Sequence, residues 1–72
     1  MNIRNKIKIA VNGKLLTINP KFSLKKLTEK LKTPINKVAI ELNEEIVDKK
    51  KLSKIILNHK DKIEIVHFIG GG

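Results

Sequence analysis

The chain has 72 residues and a formal net charge of +9, with 16 lysine and arginine residues against 7 acidic ones. A chain of this length forms one small domain, so we predict a single domain over residues 1–72. It contains no cysteine, which excludes disulfides, thiolate metal sites and a thiol nucleophile. No uninterrupted apolar run is longer than three residues, which argues against a membrane span or a signal peptide and favours a cytoplasmic protein.

The positive charge raises nucleic acid, anionic membranes and acidic proteins as candidate partners. Only Phe22 and Phe68 are aromatic, so the chain has almost no platform for base stacking. Lysine, isoleucine and asparagine are all abundant, which indicates a general bias in composition. We therefore interpret the lysines as an ordinary solvated surface, and expect neither a membrane partner nor a nucleic-acid partner.

An N-terminal β-hairpin is predicted from the alternation of apolar and polar residues over residues 6–11. Asn12-Gly13 follows, and this pair is the strongest short hairpin signal because a type I′ turn needs positive φ at both central positions. Residues 14–18 form the return strand. A two-residue loop brings the apolar residues of both strands to the same face, so the register agrees with the pattern.

A short amphipathic helix is predicted next. Ser23 provides an N-cap, and Phe22 with Leu27 has the spacing of a hydrophobic staple. The helix should end at Thr33-Pro34, because proline disfavours α geometry in the residue before it. The apolar stripe that would cover the sheet consists of Leu24, Leu27 and Leu31.

The middle of the chain is predicted to form a strand pair and a short helical turn. Residues 38–42 alternate and form a strand, Asn43-Glu44 forms a turn, and residues 45–47 form a second, short strand. The charged residues 48–51 are interpreted as a solvated corner. Residues 52–57 are interpreted as a short helical turn packed against the core.

The last strand follows a polar turn at residues 58–61 and directs Ile63 and Ile65 towards the core. Because side chains alternate along a strand, Val66 and Phe68 must then point away from the core. The same parity places further apolar residues on this outer face, so we expect a contiguous apolar patch. These further residues are Ala10, Leu15 and Ala39.

The predicted order of elements is therefore hairpin, helix, strand pair, helical turn and strand. One main helix on one face of a mixed sheet of four to five strands is an α+β layer arrangement.

Three glycines, Gly70, Gly71 and Gly72, end the sequence. Glycine packs nothing and gives up the most backbone entropy, so we expect residues 69–72 to form a flexible tail. Such a tail is either a frayed end or a device in which the terminal carboxylate is the working group. A chain without Cβ atoms suits the second use, because it can thread a narrow channel.

Nothing in the sequence indicates catalysis by the chain itself. His59 and His67 lie eight residues apart, and without cysteine they do not form a metal set at a familiar spacing. Ser23 and Ser53 lack a nucleophile motif, and no strand-to-helix junction follows the glycines to make a phosphate loop. We predict that the chain is not an enzyme and binds neither a metal nor a cofactor.

The whole pattern resembles the ubiquitin-like β-grasp, and residues 38–47 and 63–72 closely resemble the ThiS family, the sulfur carriers of thiamine biosynthesis. Gly-Gly ends are shared by all such carriers, whereas the form Val-His-Phe-Ile-Gly-Gly-Gly at residues 66–72 is characteristic of this family. The sequence departs from the family pattern at Asn43-Glu44, which replaces Asn-Gly, at the turn before the last strand, and at Leu52, which replaces a tryptophan. These departures concern local structure rather than chemistry.

The resemblance implies a mechanism in which a ThiF-type adenylyltransferase uses ATP to adenylate the carboxylate of Gly72. Sulfur from a cysteine-desulfurase persulfide then displaces AMP and leaves a thiocarboxylate. A thiazole synthase of the ThiG type would take this sulfur into the thiazole ring of thiamine. In this scheme Gly70 and Gly71 give the tail its reach. The partner-binding residues would be Val66, His67, Phe68 and Ile69.

Three alternatives remain open. The small subunit of molybdopterin synthase is similar in fold and chemistry, although its tails more often carry prolines before the glycines. A protein-conjugating modifier is the second alternative. The third, from a different class, is a small basic RNA-binding module, which would lose affinity steeply as salt is raised.

Overall fold

A computed structural model describes residues 5–68 of the chain. The strands are β1 (Ile7–Val11), β2 (Lys14–Ile18), β3 (Val38–Leu42), β4 (Glu45–Ile46) and β5 (Lys62–His67). One α-helix, α1 (Leu24–Lys30), follows the first hairpin, and two 3₁₀ helices span Ile35–Lys37 and Lys49–Lys54.

The five strands form one mixed sheet in the order β2-β1-β5-β3-β4. β5 lies in the centre, where it pairs in parallel with β1 and antiparallel with β3. The first hairpin has the predicted register, with Ile9 opposite Leu16. The last strand of the sequence is thus the middle strand of the sheet.

The core lies between α1 and one face of the sheet, which confirms the predicted α+β arrangement. Leu24 and Leu27 of the helix are fully buried against apolar side chains from β1, β3 and β5. The buried core residues are Ile9, Ile18, Leu24, Leu27, Val38, Ile40, Leu52, Leu57 and Ile63.

Both hairpin turns have positive φ at their two central residues. Asn12 and Gly13 have φ of 50° and 83°, which confirms the type I′ turn expected from the sequence. Asn43 and Glu44 have φ of 52° and 72°, so the second turn has the same form with glutamate where glycine is preferred. A non-glycine residue in this region costs about 1–2 kcal/mol.

The asparagine of each turn also holds β5. The side chain of Asn12 accepts a hydrogen bond from Ile65 N–H at 2.7 Å and donates one to Ile65 C=O at 3.3 Å. The side chain of Asn43 accepts from Lys62 N–H at 2.9 Å and donates to the Asp61 carboxylate at 2.9 Å. These bonds extend the pairing of β5 beyond the backbone of its neighbours.

α1 begins as predicted but ends earlier. Ser23 is the N-cap, and its Oγ accepts a hydrogen bond from Lys26 N–H at 3.0 Å. The prediction that Leu31 belongs to the buried stripe is wrong, because it is the C-cap and 39% exposed. Thr28, which is 2% exposed, takes the buried position, and its hydroxyl donates to Lys25 C=O at 2.7 Å.

The segment after β4 differs from the expectation in three ways. β4 ends at Ile46, so Val47 is not part of it. In the charged corner, Asp48 is the N-cap of the second 3₁₀ helix and residues 49–51 form its first half, and Lys49 is half-buried rather than solvated. Ile56 is 47% exposed and forms a bridge with Ser23, so it lies in extended chain outside any helical turn.

Candidate functional site

The end of β5 carries two exposed apolar side chains. Val66 is 53% exposed and Phe68 is 54% exposed, so neither side chain belongs to the buried core. Val66 lies opposite Ala39 in β3, so the two form a small apolar pair on the outer face of the sheet. His67 is the last residue of β5 and is exposed, as expected for a strand end.

The remaining predicted site residues, Ile69, Gly70, Gly71 and Gly72, lie outside the described residues. Their roles in partner binding, in reach and in carrying sulfur therefore stay predictions, as does the flexible tail itself. The structure describes the residues immediately before them.

Phe68 is held at the point where the tail begins. Its N–H donates a hydrogen bond to Lys37 C=O at 2.9 Å, which extends the pairing of β5 with β3 by one residue. The Nζ of Lys49 lies 5.3 Å from the centroid of its ring, within the range of a cation–π interaction. The same Nζ donates to Ile35 C=O at 2.8 Å and to Val38 C=O at 2.5 Å.

Lys49 is a residue that sequence reasoning missed. It stands in a run of three lysines after Asp48, and such a run is normally solvated. Nothing in the spacing of the residues distinguishes Lys49, which turns towards the end of β5, from its neighbours Lys50 and Lys51.

The expected apolar patch on the outer face divides into two parts. Leu15, which is 76% exposed, lies opposite Ala10 in the first hairpin, and Ala10 lies beside Lys62 at the start of β5. Val66 lies four residues further along β5, roughly 13 Å away at 3.3 Å per residue. Glu64 lies between the two apolar pairs.

Glu64 pairs directly with Glu41 of β3. Like charges in directly opposed positions are destabilising, so this row of the sheet is polar and repulsive. It separates the apolar pair next to the tail from the apolar pair in the first hairpin.

The opposite side of the molecule is strongly basic. α1 and the second 3₁₀ helix pack against each other, and Glu29 is the only acidic residue within them. Their lysines are Lys25, Lys26, Lys30, Lys49, Lys50, Lys51 and Lys54. In the described part of the chain, the one ion pair joins Lys62 and Glu44 at 3.2 Å, and both side chains are largely exposed.

The histidines do not form a site. The Nδ1 of His59 accepts a hydrogen bond from Lys8 N–H at 3.0 Å, so this side chain binds a backbone group of β1 ahead of the short β1–β5 pairing, which begins at Ala10. Among residues 5–68, no three histidine, cysteine or acidic side chains come together to hold a metal. Over the same residues, no helix is long and apolar enough to cross a membrane.

The ThiS family model matches residues 9–72 of the chain. The chain belongs to the ThiS family. A crystal structure of the thiamine biosynthesis protein ThiS from Geobacter metallireducens superimposes with a TM-score of 0.77 at 28% identity, covering 92% of this chain and 100% of that one. Together with the order of elements, this match confirms the predicted ubiquitin-like β-grasp.

Similarity to two curated proteins agrees with membership of the ThiS family. The sulfur carrier protein ThiS of Bacillus subtilis is 50% identical over 35 residues, which are 49% of this chain and 53% of that protein. A thiazole synthase from Paramagnetospirillum magneticum is 38% identical over 66 residues, which are 92% of this chain but 20% of that protein. The chain therefore spans about a fifth of the length of this thiazole synthase. Family membership also agrees with the prediction that the chain is a carrier and not an enzyme.

Proposed function

We propose that the chain is a cytoplasmic sulfur carrier of thiamine biosynthesis, and that it carries sulfur as a thiocarboxylate on Gly72. The observation that carries this proposal is the extent of the ThiS family match, which runs from residue 9 to residue 72 and so includes the terminal glycines. The geometry supports it, because β5 leads from the centre of the sheet to an exposed Phe68, which stands two residues before the first of those glycines in the sequence.

The chemistry requires activation, because the oxygen of a free carboxylate is a poor leaving group. We propose that in a ThiF-type adenylyltransferase the Gly72 carboxylate attacks the α-phosphate of ATP, which forms the acyl adenylate and releases pyrophosphate. A persulfide supplied through a cysteine desulfurase then attacks the carbonyl carbon, the C–O bond to AMP breaks, and an acyl disulfide forms. A second thiol then attacks the sulfur of the former persulfide carrier, so that the S–S bond breaks, a disulfide forms between these two thiols, and the thiocarboxylate is released; the two thiols supply the two electrons. The chain itself needs no cysteine and no bound cofactor for these steps.

The acceptor of the sulfur is proposed to be a thiazole synthase. The match to the Paramagnetospirillum magneticum thiazole synthase supports this, because about one fifth of that protein is a segment similar to this chain. A carrier segment joined to the enzyme that consumes its sulfur would always be close to its acceptor. We propose that a thiazole synthase accepts the sulfur that this chain carries.

The test is the intact mass of the chain with its natural C-terminus. After incubation with the adenylyltransferase, ATP and a sulfur donor, we expect one carboxylate oxygen to be exchanged for sulfur. Omitting ATP should abolish the mass change. A variant lacking Gly71 and Gly72, or one with a C-terminal tag, should remain unmodified, and the proposal fails if either of these acquires the same mass change.

A further inference from the structure

Lys49 has an arrangement that its place in a lysine run does not explain. It is half-buried, and its ammonium group donates to the carbonyl oxygens of Ile35 at 2.8 Å and Val38 at 2.5 Å. Two charge-assisted bonds to backbone oxygens restrict a side chain that is otherwise among the most mobile. An ammonium group has three N–H donors, so one remains beyond these two bonds.

The ring of Phe68 lies beside this fixed charge. Its centroid is 5.3 Å from the Lys49 Nζ. The N–H of Phe68 donates to Lys37 C=O at 2.9 Å, one residue before the Val38 carbonyl that Lys49 binds. The backbone of Phe68 is therefore bound directly at the start of β3, and its ring is held at the same place through Lys49.

We propose that Lys49 is a positioning residue for the C-terminal tail. Its ammonium group holds the Phe68 ring in one orientation and so presents the ring to the partner that takes up the residues after it. This inference rests on the proposed function, in which an adenylyltransferase takes the tail into its active site. It assigns a role to a lysine on the helical side of the molecule, away from the outer apolar pair.

Holding the ring in advance favours docking. Phe68 is 54% exposed, so much of the ring remains available to a partner while Lys49 contacts it. A side chain that is already ordered loses less conformational entropy when the partner binds. A lysine that only tied its 3₁₀ helix to β3 would have no such effect on docking.

The first experiment examines the full chain alone by NMR. In Lys49→Met, which removes the charge but keeps the length of the side chain, the Phe68 ring and its N–H should show altered chemical shifts and faster motion. Lys49→Arg should restore the wild-type pattern, because a guanidinium also binds carbonyls and aromatic rings. Lys54→Met is the matched control, since Lys54 is an exposed lysine of the same 3₁₀ helix.

The second experiment measures steady-state adenylation of the same variants at a temperature where all are folded. Loss of a cation–π contact at a partly exposed site should raise KM for the carrier by roughly two- to fivefold, with kcat unchanged. Lys49→Arg should return KM towards the wild-type value, and Lys54→Met should leave it within error. In a Phe68→Leu background, Lys49→Met should have no further effect on KM, because the ring through which it acts is absent.

The two experiments distinguish failure of this inference from failure of the proposed function. Unchanged Phe68 signals in Lys49→Met, equal effects of Lys49→Met and Lys54→Met on KM, or additive effects in the Phe68→Leu background would each overturn the positioning role. If the wild-type chain is not adenylated at all, the proposed function is wrong. The NMR comparison then decides by itself whether Lys49 orders the ring.

Discussion

Phe68 has 54% of its surface exposed at the end of β5, and Val66 has 53% exposed two residues earlier. Side chains in this state contribute little to the stability of the domain, because most of their apolar surface remains in water. The same surface becomes favourable when a partner covers it. Aromatic residues are also prominent among those that dominate interfaces.

We therefore predict that Phe68→Ala leaves the melting temperature nearly unchanged and weakens binding to the adenylyltransferase by roughly four- to fifteenfold. Complete burial of such a side chain contributes about 1.5–3 kcal/mol, and about half of its surface remains to be buried, where 1.4 kcal/mol is a factor of ten. Calorimetric titration and a thermal scan of the same sample would measure both quantities.

Leu15→Ala is the matched control for this prediction. Leu15 is 76% exposed on the outer face of the sheet but belongs to the first hairpin, beyond the Glu41–Glu64 row. Its replacement should change neither quantity. A large loss of stability with affinity retained in Phe68→Ala would mean that the ring belongs to the core.

Single residues also mark what a sequence can and cannot predict. Asn12-Gly13 specifies its turn, because few pairs tolerate positive φ at both positions, and the structure has that turn. The side-chain bonds from Asn12 to Ile65 could not be predicted, because they join residues 53 positions apart. Lys49 was missed for the same physical reason, since its partners are brought to it only by the fold.

At the scale of elements, α1 shows why its start was predicted and its end was not. The N-cap was visible as Ser23 before an apolar run. At the C-terminus, Lys32 has a φ of 55°, Lys32 N–H donates to Glu29 C=O, and Thr33 N–H donates to Thr28 C=O. This is the Schellman pattern, which usually has glycine at the residue with positive φ. Because lysine occupies this position, nothing in the sequence marks the end of the helix, and Thr33-Pro34 predicts a longer one.

The early end of α1 makes Leu27 its central buried residue. Leu27 is fully buried, whereas Leu31 is 39% exposed at the C-cap. We predict that Leu27→Ala lowers the free energy of unfolding by about 2–5 kcal/mol, a large part of the usual total for a small domain. Denaturant titration would measure it.

Leu31→Ala provides the control from the same helix, since it truncates the same kind of side chain at an exposed position. It should cost less than about 1 kcal/mol, because it leaves no cavity. Similar losses for the two variants would mean that Leu31 contributes to the core as much as Leu27 does.

At the scale of the whole molecule, the order of elements along the chain could be predicted but the order of strands in the sheet could not. Alternation shows which face of a strand is buried, and it says nothing about which strand lies beside it. The parallel pairing of β1 with β5 places the last strand in the centre. This placement splits the expected apolar patch, because it puts Glu64 between Ala10 and Val66.

The distribution of charge is the second property of the whole molecule. The formal net charge is +9. The lysines of α1 and the second 3₁₀ helix lie on one side of the molecule, and Glu29 is the only acidic residue within these two helices. The Lys62–Glu44 pair is exposed, and such pairs contribute about 0–1 kcal/mol. Repulsion among the lysines therefore acts against the folded state with little local compensation.

We predict that sodium chloride raises the melting temperature of the chain. The Debye length falls from about 30 Å at 0.01 M to about 8 Å at 0.15 M salt. The radius of gyration is 12.5 Å, so charges across the whole domain repel one another at the lower concentration and only near neighbours do so at the higher one. Relief of about 1 kcal/mol would correspond to a rise of roughly 4–8 °C for a domain of this size. A thermal scan at the two concentrations measures the shift.

Lys26→Glu is the variant that tests the cause of this shift. Lys26 is exposed at the third position of α1, and its N–H already donates to the Oγ of the Ser23 N-cap at 3.0 Å. Glutamate there would complete a capping box and place a negative charge at the start of a helix that has no acidic residue in its first turn. The variant should therefore melt at a higher temperature than wild type at low salt and respond less to added salt. A melting temperature that falls as salt is raised would show instead that attractive pairs outweigh the repulsion among the lysines.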